Sequence, residues 1–191
     1  NTALAVIEKT VADIKDELRA TDAGFVCEFA PCDAPEKMLD DVQSRNLVAF
    51  VLAMPAGVRD MSFEIEGHVL NSNNLGAVWV SDEEIRVWTF NRSGDDSRQD
   101  AMAEEIISLA EVFDYDVKQG AKFFGWKFNP ESKMRELHTK LMKEVFDIDL
   151  KMEATHGGLE TGVFFGKEPE MDIICFGPKG SGAHTPEEYL D

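Results

Sequence analysis

Basic residues are scarce in this chain. Of 191 residues, 19 are Lys or Arg against 37 Asp or Glu, and the net charge is -18. That balance repels phosphate and argues against nucleic acid and anionic membrane surfaces as partners. Cysteine is scarce too. Cys27, Cys32 and Cys175 are an odd number without CxxC spacing, and they read as free thiols of a reducing compartment, the cytoplasm. No apolar run approaches the roughly 20 residues needed to span a bilayer. Residues Asn1 to Ile14 lack the basic start, apolar centre and cleavage site of a signal peptide. HExxH, Cys/His zinc spacing, a GxSxG nucleophile elbow and a Gly-rich phosphate loop are all missing. What is present is an ordinary apolar fraction of 43%, enough for a packed core, on a length that suits one large domain or two small ones.

Leu4, Ile7, Val11, Ile14 and Leu18 recur at three- and four-residue steps and predict an amphipathic helix. The stripe covers about two heptads, short of a coiled coil, so a helix packed on a sheet is the better reading. Gly24 to Ala30 alternates as a strand. Asp33-Ala34-Pro35-Glu36 has the form of a helix start, and that helix is expected to run towards Met54. Val69 to Val80 and Ile85 to Asn91, joined at Ser81-Asp82-Glu83-Glu84, predict an antiparallel pair. Ser97 to Asp114 reads as a helix with Met102, Ile106, Leu109, Ala110 and Phe113 inward, and Asp116 to Lys122 as a strand. The order β-α-β-β-α-β is ferredoxin-like.

A boundary is placed near Phe123. Beyond it, the pattern predicts a helix over Pro130 to Phe146 capped at Asn129, with Met134, Leu137, Leu141 and Val145 inward. A strand over Ile148 to Ala154, a short helix over Leu159 to Gly166 and a strand over Met171 to Phe176 follow. Alternating α and β implies a sheet covered on both faces. Thr185-Pro186-Glu187-Glu188 has the form of a capping box, which predicts a helix from Thr185. A helix opening at residue 1 and another starting so near Asp191 suggest a segment of a longer protein.

The histidines are His68, His138, His156 and His184. His138, within a helix, and His68, before a strand, read as ordinary surface or half-buried residues. Thr155-His156-Gly157-Gly158-Leu159-Glu160 lies between a strand and a helix, where ligands bind in α/β sheets. Two glycines admit close backbone approach, and a helix start offers free N–H groups to an anion. A tight turn without a ligand is the equal alternative. His184 follows Gly177-Pro178-Lys179-Gly180-Ser181-Gly182-Ala183 on what should be the same rim, and a neutral imidazole there is a natural metal ligand.

Thr155-His156-Gly157-Gly158-Leu159-Glu160-Thr161-Gly162, then Pro169-Glu170-Met171-Asp172, then Gly177-Pro178 and Gly182-Ala183-His184-Thr185-Pro186-Glu187-Glu188 carry a resemblance. They resemble, in order, the C-terminal signature of the aminoacyl-histidine (Xaa-His) dipeptidases of the two-zinc carboxypeptidase/aminoacylase superfamily. Pro55-Ala56-Gly57-Val58, Asn74-Leu75-Gly76, Asn91-Arg92-Ser93 and Gly125-Trp126 extend a weaker likeness over the chain.

The resemblance implies an α+β and α/β chain. Residues 1–123 would be the second part of a ferredoxin-like lid that mediates homodimerisation, and residues 124–191 the return into the catalytic domain. It implies zinc, two ions in a complete site, with His184 as one ligand. It implies a dipeptide substrate whose carboxyl end meets His156, Gly157, Gly158 and Arg92, with Asn74 a further lid contact. A bidentate Arg suits a carboxylate; for Arg92 the alternative is a solvated strand-end charge. The family's other zinc ligands and general base lie upstream of the matched region, so this chain is expected to bind zinc weakly and to be inactive alone. The rival reading is an acidic binding or dimerisation module without chemistry.

Overall fold

The computed structural model describes residues 2–122 and 124–191. The boundary residue Phe123 lies outside them. The chain forms two compact units, Asn1–Met38 and Leu39–Asp191. The first consists of helix α1 (Thr2–Glu17), a 3-10 turn (Leu18–Ala20) and an extended stretch without ladder bonds. The stripe of α1 forms as expected, but no residue of the helix is buried.

The second unit opens with α2 (Asp41–Ala53). This helix starts later than Pro35. Asp40 Oδ1 accepts from Gln43 N–H at 2.7 Å while Gln43 Oε1 accepts from Asp40 N–H at 3.3 Å. That reciprocal box satisfies two backbone donors at the helix start. An unforeseen short strand β1 (Gly57–Met61) precedes β2 (Val69–Val80) and β3 (Ile85–Ser93), in the antiparallel order β1-β2-β3. Helix α3 (Asp96–Val112) follows within a residue or two of its predicted bounds.

Phe50 from α2 and Met54 at its C-cap bury against Met102, Ile106 and Ala110 from α3, and Leu75, Val87, Leu109, Phe113 and Tyr115 close the edges. The sheet's helix-facing side is polar at one end. Asn73, 2% exposed, donates from Nδ2 to the Pro55 carbonyl and accepts from Thr89 Oγ1. Asn91 and Gln99 exchange side-chain-to-backbone bonds at 3.4 Å. These bonds tie strand to helix where burial alone would leave amides unpaired.

The central α-β-β-α of the ferredoxin-like reading stands, and the α+β class with it. The outer strands do not. Residues 24–30, 116–122, 148–154 and 171–176 have no ladder among the described residues. Apolar alternation gives a segment a face; only a neighbour gives it hydrogen bonds.

Helix α4 (Lys133–Phe146) is capped by Ser132, whose Oγ accepts from Arg135 N–H at 3.1 Å. Asn129 instead closes an Asx turn to Glu131 N–H at 2.9 Å. The inward stripe expected on α4 lies open: Met134, Leu137, Leu141 and Val145 are 45–64% exposed. Its amphipathic pattern is as read, but no described element covers it. Helix α5 (Glu160–Lys167) forms. The helix expected from Thr185 does not. Strand β4 (Gly180–Ser181) pairs with β5 (Tyr189–Leu190) across a turn. Thr185 Oγ1 donates back to the Gly182 carbonyl at 2.8 Å, and Glu188 Oε2 accepts from His184 N–H at 3.2 Å rather than from Thr185. A helix of under two turns has too few bonds to offset its nucleation.

Asp172 anchors α4 from 38 residues away. Its Oδ2 accepts from Met134 N–H at 2.8 Å at the helix's positive end. Hydrogen bonds from the Ser132 hydroxyl and the Met134 backbone hold its carboxyl below the ordinary 3.8. A depressed folded value means that this contribution is complete above the unfolded value and is lost as pH falls through the lower folded one. Asp172→Asn should therefore flatten the acid-side dependence of helicity below about pH 4, read by circular dichroism. An unchanged profile would show that Asp172 does not hold α4.

Candidate functional site

Register decides which side chains meet. Ser72 pairs with Arg92, and Asn74 with Phe90, across β2 and β3. Strand alternation sets Ser72, Asn74, Phe90 and Arg92 on one face and Asn71, Asn73 and Asn91 on the other, against the helices. The 155–162 loop returns to the first face, where His156 Nε2 lies 2.6 Å from Ser72 Oγ. The two residues are 84 apart in sequence.

Around this contact is a cavity of about 80 Å³. That space exceeds what one water needs and has room for a small ionic group such as a carboxylate. His68, Arg92 and His156 line it, with Gly157, Gly158 and Gln99. No Asp or Glu does, in a chain with 37 of them. The acid nearest in sequence to Arg92 and Gly94, Asp95, pairs instead with Arg98 at 3.7 Å and Lys127 at 3.6 Å.

Arg92 stacks over the Phe90 ring at 5.3 Å, and its Nε is buried without a hydrogen-bond partner. Gln99 Oε1 is likewise buried and unpartnered. An orphaned guanidinium donor is costly unless something fills the space before it. Burial holds His156 below the ordinary imidazole value, aided by the Arg92 guanidinium and by His68, while a hydrogen bond with the Val69 backbone pulls the other way. The ring is therefore neutral near pH 7.

Gly125 seats the remaining wall. A Cβ there would fall 2.3 Å from the Gly94 carbonyl oxygen, so only glycine lets this segment press on the β3–α3 turn. Asp96 Oδ1 accepts the Gly125 N–H at 3.2 Å, and Trp126 reaches the cavity.

The structure thus brings Arg92, His156, Gly157 and Gly158 together. Asn74 shares their face but is exposed and does not line the cavity. His184 sits apart in the β4–β5 turn, exposed, with a left-handed φ of +65°. Non-glycine residues adopt that conformation at a cost of order 1 kcal/mol or more. Among the described residues no three His, Cys, Asp or Glu side chains are placed to hold a metal. His138 is half-buried and stacks on Phe176 at 4.6 Å, as an ordinary residue would. His68 was missed. Its ring centroid is 6.3 Å from that of His156, edge-on. Nothing in its sequence neighbourhood announces this, because the β1–β2 loop and a strand register bring it there.

The class these features define is an α+β chain with a small pocket, lined by Arg92, His68 and His156, between a sheet face and a glycine-bearing loop. No protein-family model matches the chain. It is similar to the cytosol non-specific dipeptidase of Escherichia coli K12, 29% identical over 145 residues, 76% of this chain and 30% of that protein. Its fold matches the crystal structure of aminoacylhistidine dipeptidase from Vibrio alginolyticus, with a TM-score of 0.85 and 24% identity over 99% of this chain and 39% of the other. Together they bear out the resemblance to the aminoacyl-histidine dipeptidase family. The chain spans under two fifths of the length of either protein. Among the described residues no helix is long and apolar enough to cross a membrane.

Proposed function

We propose that this chain is the part of a zinc-dependent dipeptidase that grips the substrate's terminal carboxylate and lends one metal ligand. The observation that carries the reading is the pocket itself: three basic side chains, no carboxylate, and a buried Arg92 Nε awaiting an acceptor. Arg92 would donate to the carboxylate, and Gly157 and Gly158 leave the backbone open beside it. Gln99 Oε1 offers an acceptor for the peptide N–H adjoining a terminal carboxylate. His156 orients the same group from the loop. Asn74, on the same face, reaches towards the rest of the substrate.

His184 fits the metal as a single ligand, an exposed imidazole on a tied loop. Zinc, when bound, supplies an acidified water. One imidazole is not a ligand set, so the chain by itself would bind zinc weakly and hydrolyse nothing. The lid reading of residues 1–123, the catalytic reading of residues 124–191 and a cytoplasmic setting complete the proposal. The setting agrees with three free, exposed cysteines.

Titration of the chain with a carnosine-type dipeptide and with its C-terminal amide tests this. The free acid should bind and the amide should not, with no turnover of either. Equal binding of both would sink the carboxylate grip. Turnover comparable with a complete dipeptidase would refute the missing-ligand argument.

The homodimer proposal rests on the edge strands β1 and β3 and on Trp79 and Trp88, about half exposed near the hairpin tip. A charge of -18 on each copy opposes it, so association should strengthen from low to moderate ionic strength. Sedimentation showing a monomer at both, in the range of roughly tens of micromolar, would exclude it.

A further inference from the structure

We propose that His156 takes up a proton when a carboxylate enters the pocket, so that anion binding and imidazolium formation are one coupled event. The inference rests on the carboxylate reading above and adds to it a pH-gated affinity and a role for His68 and Ser72.

The groups facing His156 are few and can be named. From β2 come the Ser72 hydroxyl at 2.6 Å and the Val69 backbone; from the loop before it, His68. Arg92 comes from β3. Helix α3 offers only neutral Gln99 to the cavity, and Trp126, Leu159 and Gly162 are uncharged. With no acid to compensate, the pocket's own side chains disfavour a second cation beside Arg92. Burial and Arg92 accordingly keep the imidazole neutral.

An anion entering the cavity reverses that balance. It sits among Arg92, His68 and His156 and favours the charged ring by the same Coulomb attraction that Arg92 opposed. The Ser72 bond accommodates both states. While Nε2 is unprotonated, the hydroxyl donates to it. Once the ring is protonated, Nε2–H donates to Oγ, and the hydroxyl hydrogen turns to another acceptor. The Ser72–His156 bond itself is kept on either side of the switch. His68 tunes the event as a basic neighbour at 6.3 Å that the anion also screens.

The test uses the full chain and N-acetylglycine as the carboxylate probe, followed through the histidine Cε1–H resonances between about pH 5.5 and 8. Saturating probe should raise the His156 titration midpoint by about one pH unit or more. Binding should tighten by up to about tenfold per unit fall in pH within the coupled range. His138, stacked on Phe176, is the internal control and should not move. His156→Gln should leave residual binding that no longer varies with pH. His68→Gln should change the size of the midpoint shift. Probe binding that needs Arg92 yet is equal at both ends of the range, with an unmoved His156 midpoint, overturns the coupling and leaves the carboxylate grip standing. No binding at any pH, or binding indifferent to Arg92→Gln, overturns both.

Discussion

Arg92→Ala is expected to weaken dipeptide binding by about thirtyfold or more, equivalent to about 2 kcal/mol upwards, the usual result of truncating one partner of a buried charged pair. The guanidinium is fixed before any ligand arrives. It lies over Phe90 on a strand whose register is set by β2, and its Nε is already out of water. A ligand carboxylate therefore gains the bond without the pocket having to order the side chain. Arg92→Lys should fall between wild type and Ala, since it keeps the charge and loses the fork. Titration calorimetry on the folded variants decides. Unchanged affinity in Arg92→Ala would return Arg92 to the solvated strand-end charge that sequence alone also allowed.

Met102→Ala should destabilise the Leu39–Asp191 unit by about 2–5 kcal/mol, the range for truncating a buried large side chain. Met102 is 3% exposed and sits on α3 in the cluster with Phe50 from α2, Met54 at that helix's C-cap, and Ile106 and Ala110 from its own helix. Phe50 and Met54 come from a different helix than Met102, so the space would not close without moving one helix towards the other. Val112→Ala, at an 80% exposed position near the end of the same helix, should stay within about 0.5 kcal/mol. Denaturant melts compare the two. A Met102→Ala midpoint equal to that of Val112→Ala would show that the α2–α3 contact is not the core of this unit.

Much of the site was legible because its pieces are local. The His156-Gly157-Gly158 stretch is singled out by its own neighbours and Arg92 by the family resemblance, and the structure sets His156 and Arg92 at one cavity. His68 was not legible. A histidine before a strand has no pattern of its own, and its place beside His156 follows from the Ser72 and Arg92 register and the return of a loop 84 residues later. Asn73, one residue before the Asn74 that was singled out, proved to be the buried amide. Alternation settles which of two adjacent residues faces the helices only once the face is known.

The sequence by itself determined what depends on neighbours within a few residues. That covers the helices α1, α3 and α5, the β2–β3 hairpin, and the apolar stripes of α3 and α4. Helical periodicity and turn residues act over one or two turns of chain, so they are written locally. Tertiary structure alone decided which alternating segments became strands and which stripes were covered. Residues 24–30, 116–122, 148–154 and 171–176 have the pattern and no ladder, while β1 has little pattern and pairs with β2. A strand is completed by hydrogen bonds to another strand, and a stripe by a surface to bury against. Both are supplied by residues distant in sequence, and so is the pocket, whose three basic groups converge only after the sheet and the loop have met.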